Sequence, residues 1–131
     1  MKNYLILTTI LIAVTSISGC SEGSQVTVKP ISKINYAPTS LVQTLTTTPS
    51  RPYIVIAHIH SSAPAGTPAA QVIAGIEKQA EKLGANAVII NNHSHKLPSK
   101  LIFNPSGGNY QNEPSQTVPD YSGIAIRWVS N

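Results

Sequence analysis

The stretch Tyr53-Ile54-Val55-Ile56-Ala57-His58-Ile59-His60 decides the fold. Its apolar and β-branched residues fall at odd and even positions alike, the pattern of a strand buried on both faces. Ser61 to Gly66 then make a loop. Thr67 offers a capping hydroxyl, Pro68 suits a first helical position, and Val72, Ile76, Ala80 and Leu83 recur at helical spacing along one face. Glu77, Lys78, Glu81 and Lys82 occupy the other side and read as a solvated surface. Gly84 ends the helix, and Asn86-Ala87-Val88-Ile89-Ile90 is a second strand. Strand, helix, strand is a β-α-β unit, whose crossover makes its two strands parallel.

Working outward, further strands are expected at Leu41–Leu45, at Lys100–Phe103, and at the end, where Ile124, Ile126 and Trp128 alternate with Gly123, Ala125 and Arg127. Residues 104–120 hold Pro105, Pro114, Pro119 and the pair Gly107-Gly108 among amide and hydroxyl side chains, and are expected as a mobile insertion. The expected fold is α/β (α+β): a small sheet with a central β-α-β unit and one main helix packed on one face. Residues 41–131 form its single domain. Residues 20–40, polar and punctuated by Pro30 and Pro38, are expected as a flexible tether.

The tether has something to tie. Met1-Lys2-Asn3 opens the chain, Tyr4 to Ile17 is almost wholly apolar, and Ile17-Ser18-Gly19-Cys20 closes the run with small residues. A charged start, a hydrophobic stretch short of the ~20 residues of a membrane span, and a small-residue cut site describe a cleaved export signal over residues 1–19. Ile-Ser-Gly-Cys also resembles the lipobox of bacterial lipoproteins. The resemblance implies that the Cys20 thiol takes a diacylglycerol, that the leader is cut before it, and that the new amine is acylated. Several acyl chains on one residue hold a protein stably at a bilayer, where a single chain does not. Ser21 after the cysteine resembles the pattern for transfer to the periplasmic face of a Gram-negative outer membrane. Cys20 is the chain's single cysteine, so no intramolecular disulfide supports the domain.

Composition narrows the function classes. The chain has nine Lys and Arg; removing Lys2 with the leader leaves eight against five Asp and Glu, a mature charge of +3 spread thinly. No basic cluster interleaved with aromatics points to nucleic acid. The carboxylates supply no acid–base pair: Glu77 and Glu81 fall on the solvated helix side, Glu113 and Asp120 in the insertion. No thiol is left as a nucleophile, and no glycine-rich loop joins a strand to a helix. The expectation is a protein that is not an enzyme.

The histidines are the constellation with chemistry in it. All four occur in two His-x-His pairs, His58/His60 and His93/His95, each at or just beyond the C-terminal end of a central strand. Residues two apart on a strand point to one side within ~7 Å, so each pair is half of a candidate zinc or copper site. The competing reading has half-exposed histidines completing their own hydrogen bonds, and it carries the greater weight. Proton sensing is a third use of four imidazoles.

Four segments carry a family likeness: Tyr36-Ala37-Pro38-Thr39, Arg51-Pro52-Tyr53-Ile54-Val55-Ile56, Ala80-Glu81-Lys82-Leu83-Gly84-Ala85-Asn86-Ala87-Val88-Ile89, and Gly123-Ile124-Ala125-Ile126. Over residues 36–129 the chain resembles the small envelope proteins related to the YbjQ and RcsF domains. The resemblance implies an α/β domain with a helix on a small sheet, and no established activity. Some relatives carry a heavy-metal-binding label, others resemble an outer-membrane stress sensor, and the YbjQ type forms rings in some members. The disulfide cysteines of the sensor type are missing. The combined expectation is a membrane-anchored envelope lipoprotein acting by contact with an envelope protein partner or a second copy, with metal binding through His58, His60, His93 and His95 as the alternative.

Overall fold

The computed structural model describes residues 23–130. The expected leader at 1–19 and the Cys20 lipidation site lie outside the described residues. Five strands form one mixed sheet in the order β1 (Gln25–Pro30), β3 (Tyr53–Ser62), β9 (Asp120–Trp128), β4 (Ala87–Asn92), β2 (Gln43–Leu45). One helix, α1 (Ala69–Lys82), packs on one face. Two small ladders complete the fold: β5 (His95–Leu97) with β8 (Gln116–Val118), and β6 (Lys100–Asn104) with β7 (Asn109–Glu113). The mixed α+β architecture is the one the β-α-β unit announced.

The centre differs from the expectation in one respect. β3 and β4 run parallel, but β9 lies between them, antiparallel to both. A central strand must suit both faces of the sheet. β9 does so because its two central helix-side residues are small: Ala125 is fully buried, and a Cβ at Gly123 would lie 2.5 Å from Ile76 Cγ2 and 2.8 Å from Val88 Cγ2. The helix therefore sits close on the sheet at this strand. Val72, Ile76 and Ala80 supply its buried face against Ile59, Val88 and Ala125. The solvated side is as expected at Lys78 and Lys82, while Glu77 is half-buried and its carboxylate accepts the Thr44 hydroxyl.

The helix begins one residue later than expected. Pro68 is the N-cap, with an extended ψ of 133°, and Thr67 makes no side-chain capping bond. At the other end Gly84 adopts a φ of +77°, the Gly84 N–H donates to the Glu81 carbonyl at 3.0 Å and the Ala85 N–H to the Ala80 carbonyl at 2.9 Å. These are the paired bonds of a Schellman cap, which a residue with a Cβ enters at a cost.

The expectation of a flexible tether over residues 20–40 fails for residues 25–39, parts of which are built into the domain. Residues 25–30 are β1, an edge strand paired with β3 from Gln25 opposite Ser62 to Pro30 opposite Ala57. Val26 packs on the helix-side core, and Pro30 is tolerated because an edge strand leaves outward N–H groups unpaired. Tyr36 and Thr39 also belong to the domain. The Thr39 hydroxyl donates to the Ala85 carbonyl at 2.7 Å, and the Arg127 guanidinium stacks on the Tyr36 ring at 4.5 Å while donating to the Gly84 carbonyl. A cation at a helix C-terminus is favourably placed in the field of the backbone dipoles.

Residues 104–120, expected as a mobile insertion between two strands, contain strands themselves and are half of a ribbon. The partners of β4–β9, β5–β8 and β6–β7 keep one register throughout: 87 faces 126, 95 faces 118, and 104 faces 109. No residue is gained or lost along the way. The two strands turn at residues 105–108, where Asn104 caps the return by accepting the Gly108 N–H at its carbonyl, 2.9 Å, and the Ser106 N–H at its side chain, 3.0 Å. The base of the ribbon is braced by the loop after β3, through Ala63 N–H to the Pro119 carbonyl and Gly66 N–H to the Thr117 carbonyl. Beyond that, β6 and β7 pack chiefly on each other.

Candidate functional site

Strand alternation decides which side chains leave the core. On β3, Ala57, Ile59 and Ser61 face α1, so His58 and His60 project from the opposite, helix-free face of the sheet. The register then assigns their neighbours. His58 lies between Lys29 of β1 and Ile124 of β9, and His60 lies between Thr27 and Ser122. Ser122 faces Asn91 across β4, and the chain just past β4 brings His93 alongside Asp120 through a 2.8 Å bond from the His93 N–H to the Asp120 carbonyl.

This face has two halves. One is apolar: Ala87, Ile89 and Ile126 are buried beneath Leu45, Tyr53, Val55, Ile124 and Trp128, and the Arg51 guanidinium lies 5.0 Å from the Trp128 ring. The other, toward the ribbon, is polar and exposed. There His60 Nε2 meets Asp120 Oδ1 at 2.8 Å, and His93 Nε2 meets Ser122 Oγ at 2.9 Å. A shallow groove of about 280 Å³ runs along its edge, lined by the apolar Val28 and Ile59 together with Thr27, Lys29, His58, His60 and Ser122.

The two histidine pairs are thus brought to one end of the sheet, but as separate couples. β9 stands between β3 and β4, so the strands carrying His60 and His93 are two spacings, about 9.6 Å, apart. Each imidazole is held by a β9 side chain from its own side. His95 lies further out, opposite Val118 in the ribbon, and His58 faces the groove. Among the described residues, no three His, Cys, Asp or Glu side chains are placed to hold one metal ion.

Sequence reasoning missed Asp120 and Ser122. Asp120 was expected in the insertion, with no histidine to orient; it opens β9 and bonds His60. The signal was present, since Ser122, Ile124, Ile126 and Trp128 share one parity and extending that alternation back two residues reaches Asp120. The pair is weak as an anchor. With His60 half-exposed, such a solvent-accessible contact contributes about 0–1 kcal/mol, so it orients the ring more than it stabilises the fold.

The arrangement offers hydrogen bonds, not a proton relay. A relay would need the imidazole that takes the serine proton to be the one oriented by the carboxylate. Here Ser122 bonds His93 and Asp120 bonds His60, and both couples are open to water. No protein-family model, no curated protein and no solved structure matches the chain.

Proposed function

We propose that the chain is a lipid-anchored envelope protein that works by contact and not by catalysis, at the periplasmic face of an outer membrane. The observation that carries this reading is Ile17-Ser18-Gly19-Cys20 behind a charged start and an apolar run. A lipidated Cys20 is the membrane partner this sequence provides for; among the described residues no helix is long and apolar enough to cross a bilayer.

Two features support contact as the mode of action. The helix-free sheet face displays His58, His60, His93, Asp120 and Ser122 at its surface, a patch rich in donors and acceptors beside a shallow groove. Such a surface suits a polar rim around a partner, where hydrogen bonds set register. The polar groups there are also distributed as two separate couples, His60 with Asp120 and His93 with Ser122, without one imidazole shared by serine and carboxylate.

The test has two arms. Mass measurement of the mature N-terminal peptide and fractionation of cells expressing wild type and Cys20→Ala examine the anchor: acylated wild type in the membrane fraction and unacylated, displaced variant is the expected result. A photo-crosslinker placed at Ser122 in the anchored protein is expected to give discrete adducts with envelope components, reduced by His60→Ala/His93→Ala. Wild type without acyl chains overturns the anchor, and an adduct-free or unaffected face overturns the contact surface.

A further inference from the structure

The β6–β7 end of the ribbon is amphipathic in a way the rest of the surface is not. Phe103 faces Tyr110 across the ladder, with ring centroids 5.3 Å apart and planes tilted by 60°, and Leu101 shares their side. Leu101 is 69% exposed, Phe103 51% and Tyr110 70%. The other side carries Lys100 and Glu113, paired at 3.1 Å, with Ile102 and Gln111 between the pair and the turn. One side is therefore free of charge, aromatic and uncovered, and the charges of the other side satisfy each other.

The topology says what lies near it. Gln25 pairs with Ser62, so β1 starts at the same end of the sheet where β3 and β4 finish and β9 begins, the end from which the ribbon leaves. Cys20 precedes Gln25 by five residues, and five extended residues span at most about 17 Å. The ribbon from His93 to Asn104 is up to about 37 Å long at ~3.4 Å per residue. A ribbon longer than the leash beside it cannot stand upright on the bilayer. Turned toward the membrane, it has to lie over by roughly 60° or more from the normal, with one side down.

We propose that the Leu101, Phe103 and Tyr110 side of the ribbon rests in the lipid surface to which Cys20 is anchored. This deepens the reading of the chain as a lipid-anchored protein and rests on it. The chemistry fits the interface and not the hydrocarbon core. A two-stranded ribbon has unpaired N–H and C=O groups along both edges, which the core of a bilayer does not accept. Lying flat, it keeps those edges among headgroups while Leu101 and Phe103 reach the acyl boundary and the Tyr110 hydroxyl stays wet. The acyl chains on Cys20 raise the effective concentration of the contact, so that a small apolar patch suffices.

The test uses the full-length, processed protein in vesicles of phosphatidylethanolamine and phosphatidylglycerol, with and without bromine on the upper acyl chain. A Trp128→Phe background leaves Phe103→Trp as the reporter, with Gln111→Trp on the opposite side as its control. The Phe103→Trp protein is expected to lose about half its emission to brominated lipid, the control markedly less. Equal quenching of both, or of neither, overturns the proposal. So does concentration-dependent crosslinking between copies through Phe103 or Tyr110 in place of quenching, which assigns the face to a second copy. The mass of the N-terminal peptide separates the two failures: unacylated Cys20 removes the anchor itself, whereas acylated Cys20 without quenching removes this contact alone.

Discussion

Gly123→Ala tests how closely α1 lies on the sheet. A methyl added in a cavity would bury apolar surface and help by about 0.8 kcal/mol. At Gly123 it would instead sit 2.5 Å from Ile76 Cγ2 and 2.8 Å from Val88 Cγ2, against an optimum near 3.5–4.0 Å for carbon pairs. Ile76 and Val88 are both fully buried, so neither has an empty direction in which to move. Relief needs the helix to lift by about 1 Å or Ile76 to leave its rotamer, and overpacking of this kind costs about 1–3 kcal/mol. For a domain near a hundred residues, 2 kcal/mol corresponds to roughly 8–16 °C in Tm. Urea and thermal unfolding followed by Trp128 fluorescence give the value. A double-mutant cycle with Ile76→Ala makes the cause specific. Ile76→Ala alone should cost about 2–5 kcal/mol, and the double variant should be less destabilised than the sum by about 1–2 kcal/mol, because the new methyl fills vacated space. A Gly123→Ala protein as stable as wild type, or strict additivity in the cycle, would refute a tight helix-to-sheet contact here.

Gly84→Ala should destabilise more than Gly108→Ala. Both positions have positive φ, worth about 1–2 kcal/mol to a residue with a Cβ, but at Gly84 the methyl also meets the Ala37 carbonyl oxygen at 2.5 Å, while nothing lies within 4 Å at Gly108. Equal urea midpoints for the two variants would detach residues 36–39 from the helix C-terminus. Calorimetric titration of the full chain with Zn(II) should give a dissociation constant no tighter than about 1 µM, because two-ligand capture falls short of the three or four ligands of protein zinc sites. Sub-micromolar binding abolished by His60→Ala/His93→Ala would contradict the separated couples and restore the metal reading.

What the sequence disclosed and what it withheld follow from the range of the forces involved. β3, α1 and β4 were legible because each carries its burial in its own residues: apolar on both sides in Ala87–Ile90, apolar toward the helix in β3 with His58 and His60 exposed on its other face, helical spacing through Val72, Ile76 and Ala80, a glycine where the chain reverses. The couple of His60 with Asp120 spans 60 residues and exists because β9 inserts between β3 and β4. No local pattern at either residue encodes that neighbour. β1 is an intermediate case. Val26 and Val28 alternate with Gln25, Thr27 and Lys29, a strand signal outvoted by Pro30 and by the polarity of its surroundings. An edge strand half open to water is that polar by necessity.

The ribbon shows why proline-rich composition misled. Proline is excluded from central strands because its missing N–H breaks a ladder on a side that needs one. In a two-stranded ribbon, alternate N–H groups point outward and need no strand partner, so proline interrupts pairing without forcing a loop. Counting at the constant register places Pro98 across from Ser115 and Pro114 across from Ser99, which puts both interruptions at the same level, between β5–β8 and β6–β7. A break that falls on both strands together leaves the register intact and lets one ladder turn relative to the next. The residues that read as a sign of irregular chain therefore mark a joint in a continuous hairpin. A joint at that level is also what a ribbon needs if its far end is to lie along a surface while its near end stays in the sheet.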